Sequence, residues 1–365
     1  MLCKLKDIIR RVKDNVDAQN TELEFYIGGE HFDNCEVLIT KKGVIKGSTI
    51  GPAFHMRFRP GQVLLMSRNP HLRKAGMVDF EGICSDVSYV CETNDEQKFK
   101  QRLIPFLFQS DIFWKTAEAN KKGSTNFFLN WSDFEKFEFN VPEPEEQEKL
   151  ADLLWAAEET RQAYKKLIKQ TDDLVQAKFA EMFDGGKDCT LSDLADIIMG
   201  QSPDSKYYNT DGQGVAFYQG KTEFADKYIG CPVNWCTNPT RLAEKDDVLM
   251  SVRAPVGSVN IAVGHCCIGR GLCAIRAKQG VSLPMFIYFA LKTKEKDIEG
   301  MGVGSTFKAI NKDVVKSIKI PCDTISKQQE FVLFAEQAEQ TKLATQQSLE
   351  ALNATVRALV NRNFN

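Results

Sequence analysis

The sequence predicts an α+β chain: two mixed globular domains, each followed by a long α-helix, with the two helices packed as an antiparallel coiled coil. Three observations lead there. Short motifs recur in the same order at a nearly constant offset, strand-like apolar runs are bounded by turn residues, and two stretches of about 40 residues carry apolar residues at alternating spacings of four and three. The expected boundaries are 1–142 for the first globular domain, 143–184 for its helix, 187–321 for the second domain and 324–365 for the second helix.

The duplication is read from several short matches. Leu65-Met66-Ser67 recurs as Leu249-Met250-Ser251, each inside an apolar run after a turn, Pro60-Gly61 in one case and Asp246-Asp247 in the other. Gly123-Ser124-Thr125 recurs as Gly304-Ser305-Thr306, Asn130 as Asn311 and Gln147 as Gln328, all 181 residues apart. Val141-Pro142 and Ile320-Pro321 each close an alternating segment. The shared order makes chance a poor explanation.

The first helix is announced by Pro142 and Pro144, suited to a helix start, and by Glu143, Glu145, Glu146 and Glu148, which favour the positive end of its dipole. Its expected seam is Leu153, Ala157, Thr160, Tyr164, Leu167, Thr171 and Leu174, with Leu154, Ile168, Val175 and Met182 alongside; Gly185-Gly186 ends it. The second helix carries Phe331, Ala335, Ala338, Lys342, Thr345, Leu349, Leu352, Val356 and Leu359 on the same alternation. A helix of this length spans ~60 Å, more than a domain core needs, and reads as a spacer.

Composition narrows the function. The chain has 365 residues, enough for two domains, and a formal charge of −2, too low for a general polyanion binder. That mean hides two windows without acids, from Lys41 to Lys74 and from Val248 to Lys294, against eleven acids and six bases between Glu143 and Asp184. No segment approaches the ~20 apolar residues of a membrane helix and the start is not a signal peptide, so a cytoplasmic protein is expected. Eleven cysteines in domains of this size are expected to be reduced thiols.

Catalytic motifs fail on inspection. Gly214 and Gly220-Lys221-Thr222 are separated by five residues where a phosphate-binding loop needs four, and no helix start follows. Cys231, Cys236, His265, Cys266, Cys267 and Cys273 lack the spacing of structural zinc sites, so no metal is expected, and His31, His55, His71 and His265 stand in no nucleophile motif. What remains suits nucleic acid: the polar loop Gly200-Gln201-Ser202-Pro203, the basic turn Arg253-Ala254-Pro255-Val256-Gly257, and Gly269-Arg270-Gly271.

Those segments, with Tyr218-Gln219-Gly220, Cys267-Ile268, Gly304-Ser305-Thr306 and Ile320-Pro321, closely resemble a target-recognition domain of type I restriction enzyme specificity subunits. Val141-Pro142-Glu143-Pro144-Glu145-Glu146-Gln147 is similar to that family's spacer helix, and Tyr26-Ile27-Gly28-Gly29-Glu30-His31-Phe32 resembles a common opening of such domains. The resemblance spans essentially the whole chain and is more specific in its second half. In the first half Ser67-Arg68-Asn69-Pro70 stands for the longer Arg253 turn and Cys84-Ser85-Asp86-Val87 for the Gly-Arg-Gly motif, which implies two different half-sites.

The resemblance implies a non-catalytic subunit that reads a bipartite, asymmetric site on double-stranded DNA, with helices that fix the gap and dock two methyltransferase subunits. S-adenosylmethionine would sit on those partners, which methylate adenine; ATP and Mg would serve separate motor-nuclease subunits, and this chain would bind no cofactor. A ~60 Å spacer limits the half-site separation to under about 18 base pairs. Candidate DNA contacts are Lys41, Lys42, Arg68, Lys122, Ser124 and Thr125 in the first half, and Gln201, Ser202, Lys221, Arg253, Arg270, Ser305, Thr306 and Lys308 in the second.

Overall fold

A computed structural model of the chain describes residues 2–17, 21–124, 127–302 and 309–365. It divides into two units, one of residues 1–165 with 346–365 and one of residues 166–345. The long helices Pro144–Phe183, of 40 residues, and Ile325–Asn363, of 39, each contribute to both units.

In the first unit the strands are β1 (Leu2–Lys4), β2 (Ile9–Val12), β3 (Phe25–Ile27), β4 (Gly43–Val44), β5 (Phe54–Phe58), β6 (Val63–Met66), β7 (Ala75–Met77), β8 (Gly82–Ser85), β9 (Ser88–Thr93) and β10 (Glu138–Asn140). They form sheets in the orders β2-β9-β6-β7 and β4-β3-β8-β5, with a β1-β10 pair. Of these pairings only β3 with β8 is parallel.

The second unit has β11 (Lys187–Thr190), β12 (Ala195–Met199), β13 (Tyr208–Asn209), β14 (Val215–Tyr218), β15 (Asn234–Cys236), β16 (Leu242–Ala243), β17 (Val248–Ser251), β18 (Val259–Ile261), β19 (Cys266–Ile268), β20 (Leu272–Ala277) and β21 (Lys319–Cys322). Its sheets are β12-β20-β17-β18 and β13-β15-β14-β19-β16, with a β11-β21 pair, and β14 runs parallel to β19. The two units therefore repeat one topology, with β13 added at one sheet edge in the second.

The central strands explain the apolar runs. Side chains alternate across a strand, and in β6 Val63 and Leu65 enter a core built on Phe106, Phe113, Trp114 and Phe139, while Leu64 enters a second core with Ile27, Met56 and Phe58. In β17, Val248 and Met250 face Phe286 and Phe331 while Leu249 faces Tyr218 and Ile268. A strand buried on both faces must be apolar at every position, and Leu65-Met66-Ser67 and Leu249-Met250-Ser251 lie on its two copies one residue out of register, since Leu65 faces the core that Met250 faces in the second unit.

The repeated glutamines are fixed in the same way. Gln147 is 1% exposed: its Nε2 donates to Lys98 O (2.9 Å) and Pro142 O (3.0 Å), and its Oε1 accepts from Lys100 N (3.0 Å). Gln328 is 0% exposed and makes the equivalent bonds with Val281 O (3.1 Å), Asp323 O (3.0 Å) and Leu283 N (3.0 Å). Each ties a long helix's first turn to a loop of its own head and satisfies backbone groups that burial would otherwise strand.

Within each unit the helices share the head's core. In the first unit Leu150 and Leu154 join Val360 and Phe364; in the second Val175, Phe179 and Phe183 join Phe331 and Ala335. Phe331 lies 5.7 Å from Phe183, ring to ring, and Lys342 meets Asp172 at 2.9 Å, so residue numbers run in opposite senses there. The expected seam of the second helix is where apolar or small residues are buried: Phe331, Ala335 and Thr345 are at most 7% exposed. That of the first helix needs correction. Leu153, Leu167 and Leu174 are 56%, 42% and 55% exposed, whereas the buried row runs through Leu150, Leu154, Arg161, Thr171, Val175 and Phe179. The buried row shares Thr171 with the expected one and closes in steps of four at Val175, Phe179 and Phe183, where the head covers it.

Two cations, one in the buried row of each long helix, hold the heads. Arg161 bonds Glu36 at 2.5 Å and Glu158 at 2.7 Å, and Lys342, 181 residues later, bonds Asp172 and Asp226 at 2.9 and 2.8 Å. Asp111, at the first turn of the helix Asp111–Ala119, accepts from Arg73 (2.7 Å), Arg357 (3.0 Å) and Asn361 (2.8 Å). Among the described residues nine cysteines are free, while Cys189 is disulfide-bonded, against the expectation of thiols throughout. No described helix is long and apolar enough to cross a membrane.

Candidate nucleic-acid interface

In the second unit the parallel strands β14 and β19 end side by side, at Tyr218 and Ile268. The loops that leave them are bonded together: Gly269 N donates to Tyr218 O (2.8 Å) and Gly271 N to Gln219 O (3.2 Å). The contact is close enough to require glycine, since a Cβ on Gly271 would stand 2.5 Å from Gln219 O and one on Gly269 2.9 Å from Gln219 Cα. Gln201 N donates to Ile268 O (3.0 Å) and Arg270 N to Ser202 Oγ (3.3 Å), which draws in the 200–202 loop.

Val252 N donates to Gly271 O (2.9 Å), placing the Arg253 turn beside them, and Lys221 Nζ reaches Ser258 Oγ (3.3 Å) at the far side of that turn. Four segments far apart in sequence thus bring Gln201, Ser202, Lys221, Arg253 and Arg270 into one loop cluster. Arg253 and Arg270 are exposed, and among the described residues neither has an ion-pair partner. Arg276 differs: hydrogen bonds from its guanidinium to Asp247, at 2.8 and 2.9 Å, raise its pKa and commit it to the fold. Lys278 donates to Ser192 O at 2.6 Å. Of the six cations in the acid-free window, Arg276 and Lys278 serve the fold, Lys292 pairs with Glu295 at 3.3 Å, and Arg253 and Arg270 are the two exposed arginines at the loop end.

Beneath the cluster Tyr208 stacks on Phe217 at 4.6 Å and donates to Pro203 O at 2.8 Å, fixing the 200–203 loop. Burial, reinforced by neighbouring Cys266, pushes the Tyr218 phenol up to about 12; it donates to Gly230 O at 2.9 Å.

The first unit has a related arrangement. Ser67 N donates to Val87 O (2.8 Å), Leu129 N to Ser67 O (2.9 Å) and Asn69 N to Phe127 O (2.9 Å), while Phe128 pairs with both Arg68 and Lys122. Arg68, Lys122 and Ser124 are exposed on adjoining backbone. Lys122 Nζ also holds Asp133 at 2.8 and 2.9 Å, and this bond keeps the Asp133 carboxyl below its usual range. Lys41 pairs with Asp33 (2.5 Å), and Lys42 lies 3.6 Å over the ring of Phe25, at the start of β3 rather than at its loop end. The structure does not bring those two lysines to the Arg68 segment. Thr125, Ser305, Thr306 and Lys308 lie outside the described residues.

Sequence reasoning passed over Gln219 and Ser258 as contacts, although the motif containing Gln219 was visible. The signal for Gln219 was its position between an apolar strand and a glycine; for Ser258 there was none, because Lys221 lies 37 residues away.

The family model for the type I restriction modification DNA specificity domain matches residues 184–354. The chain is 28% identical to a protein of Methanocaldococcus jannaschii named for the MjaX type I restriction enzyme specificity subunit, over 89% of this chain and 83% of that one. A solved chain from work on complex assembly and conformational transition of the type I R-M system is 26% identical, with a TM-score of 0.63, covering 100% of this chain and 97% of its own. The crystal structure of a type I restriction-modification S subunit from M. genitalium, 14% identical over 100% of this chain and 96% of its own with a TM-score of 0.61, shares the fold.

Proposed function

We propose that the chain belongs to the type I restriction-modification specificity-subunit family, which its likeness to that family's domain model and relatives supports, and that it is the non-catalytic subunit that reads DNA for its complex. Each head reads one half of a bipartite, asymmetric site. The two long helices pack as an antiparallel coiled coil, set the gap between the half-sites and dock two methyltransferase subunits. Those subunits bind S-adenosylmethionine and methylate adenine, and motor-nuclease subunits using ATP and Mg cut unmethylated DNA.

The observation that carries this reading is a topology repeated twice with different residues at its loop ends: Gly269-Arg270-Gly271 in one unit, Ser85-Asp86-Val87 in the other. A duplicated scaffold with dissimilar tips suits a two-part site whose halves differ. The formal charge of −2 fits a division of labour in which the assembled complex, more than this chain, grips the phosphates.

The test is a single-molecule methylome of a host expressing the chain with its methyltransferase subunit, compared with a host lacking the chain. A new split adenine-methylation motif with a fixed gap is the expected result. An active, soluble complex that adds no motif would sink the reading and leave a protein-interaction module in its place.

A further inference from the structure

Asp86 and Arg270 occupy the same point of the repeated fold. β8 and β19 are in each unit the strands parallel to an earlier one, and each is followed by a short link into a central strand, β9 or β20. In both links the next residue accepts a backbone bond from the turn after the other central strand: Ser67 N to Val87 O at 2.8 Å, and Val252 N to Gly271 O at 2.9 Å. Val87 and Gly271 are therefore equivalent, which sets Asp86 against Arg270. Both side chains are exposed, and among the described residues neither has a hydrogen-bond or ion-pair partner.

The opposite charges at one place restrict what that place can touch. A phosphate oxygen only accepts hydrogen bonds and repels a carboxylate, so a backbone contact would suit Arg270 and exclude Asp86. A base edge in the major groove offers both kinds of partner: guanine presents two acceptors, O6 and N7, which an arginine fork fits, and cytosine presents the N4 amino donor, which a carboxylate accepts. Resting on the DNA-reading function above, we propose that positions 86 and 270 are base-reading positions, Asp86 reading a cytosine in one half-site and Arg270 a guanine in the other.

The experiment uses the assembled methyltransferase complex and the split motif of the unaltered chain. D86N is expected to lower the preference for one G·C pair of one half-site about tenfold or more, leaving the gap and the other half-site intact; Arg270→Gln is expected to do the same in the opposite half-site. The intact half-site in each case reports that the variant is folded. Independently of any variant, replacing that C·G pair by T·A in a duplex offered to the unaltered complex should weaken binding by a similar factor.

An unchanged motif in both variants overturns the proposal. So does a first half-site made only of A·T pairs, or a change in affinity that is uniform over all sequences and alters the salt slope by about one, the mark of a phosphate contact. Failure of the DNA-reading function itself would look different, because the unaltered complex would then produce no split motif.

Discussion

At the scale of single residues, the glutamines 147 and 328 show what a repeated letter can mean. Each meets three backbone groups from buried positions, so Gln147→Ala leaves the Lys100 N–H and two carbonyls without partners. A loss of about 1–3 kcal/mol is expected for Gln147→Ala and again for Gln328→Ala, and the two should add because they lie in different units; urea denaturation of the single and double variants measures both. The repetition was legible in the sequence, but the bonds were not, since their partners are loop carbonyls with no side-chain signature. The same limit applied to charge. Arg276 and Lys42 looked as available as Arg270, and only the fold reveals that Asp247 and the ring of Phe25 had already taken them.

At the scale of elements, the helices were legible in extent and less so in orientation. The second seam was found directly, and shifting it by the chain's own repeat of 181 would have corrected the first: Phe331 maps to Leu150, Ala335 to Leu154, Lys342 to Arg161 and Val356 to Val175. The two clasps on that row differ in strength. Arg161→Met leaves Glu158, whose side chain is 4% exposed, without its cation and with only the Gln162 amide bonded to it, while Glu36 keeps Lys165 at 2.6 Å; the change should cost about 3 kcal/mol. Lys342→Met releases Asp172 and Asp226, 50% and 66% exposed, and should cost under about 1 kcal/mol, a contrast that paired thermal melts would detect. The contact of Asp111 with the second long helix adds a pH signature. Burial alone would raise its carboxyl, yet the bonds from Arg73 and Arg357 outweigh this and hold it below the usual range. A depressed carboxylate stabilises the fold above its unfolded value of about 3.9, and that contribution is lost as the pH falls through the folded value. Asp111→Asn should therefore lower the urea midpoint at pH 7, with the difference from the unaltered chain shrinking below about pH 4.

At the scale of the whole molecule, the duplication and the mixed architecture could be read in advance because both leave periodic marks, whereas the loop clusters could not, being assembled from segments tens of residues apart. The spacer role proposed for the helices gives a measurable outcome: one helical turn added after Tyr164 and another after the equivalent Thr345 should change the gap of the methylated motif and leave both half-sites as they were. A constant gap with an altered half-site would rule the role out. The membership of the units has a consequence for biosynthesis. The first unit includes residues 346–365, and Val360 and Phe364 are part of its core, with Asn140 bonded to Asn365 at 2.7 Å. A ribosome releases the residues of the second unit, 166–345, before it releases these. Nascent heads usually mature in the order they are made; here the head synthesised first waits with an open core until the second has all its residues, so stalling between residues 345 and 360 would strand the earlier half and spare the later one.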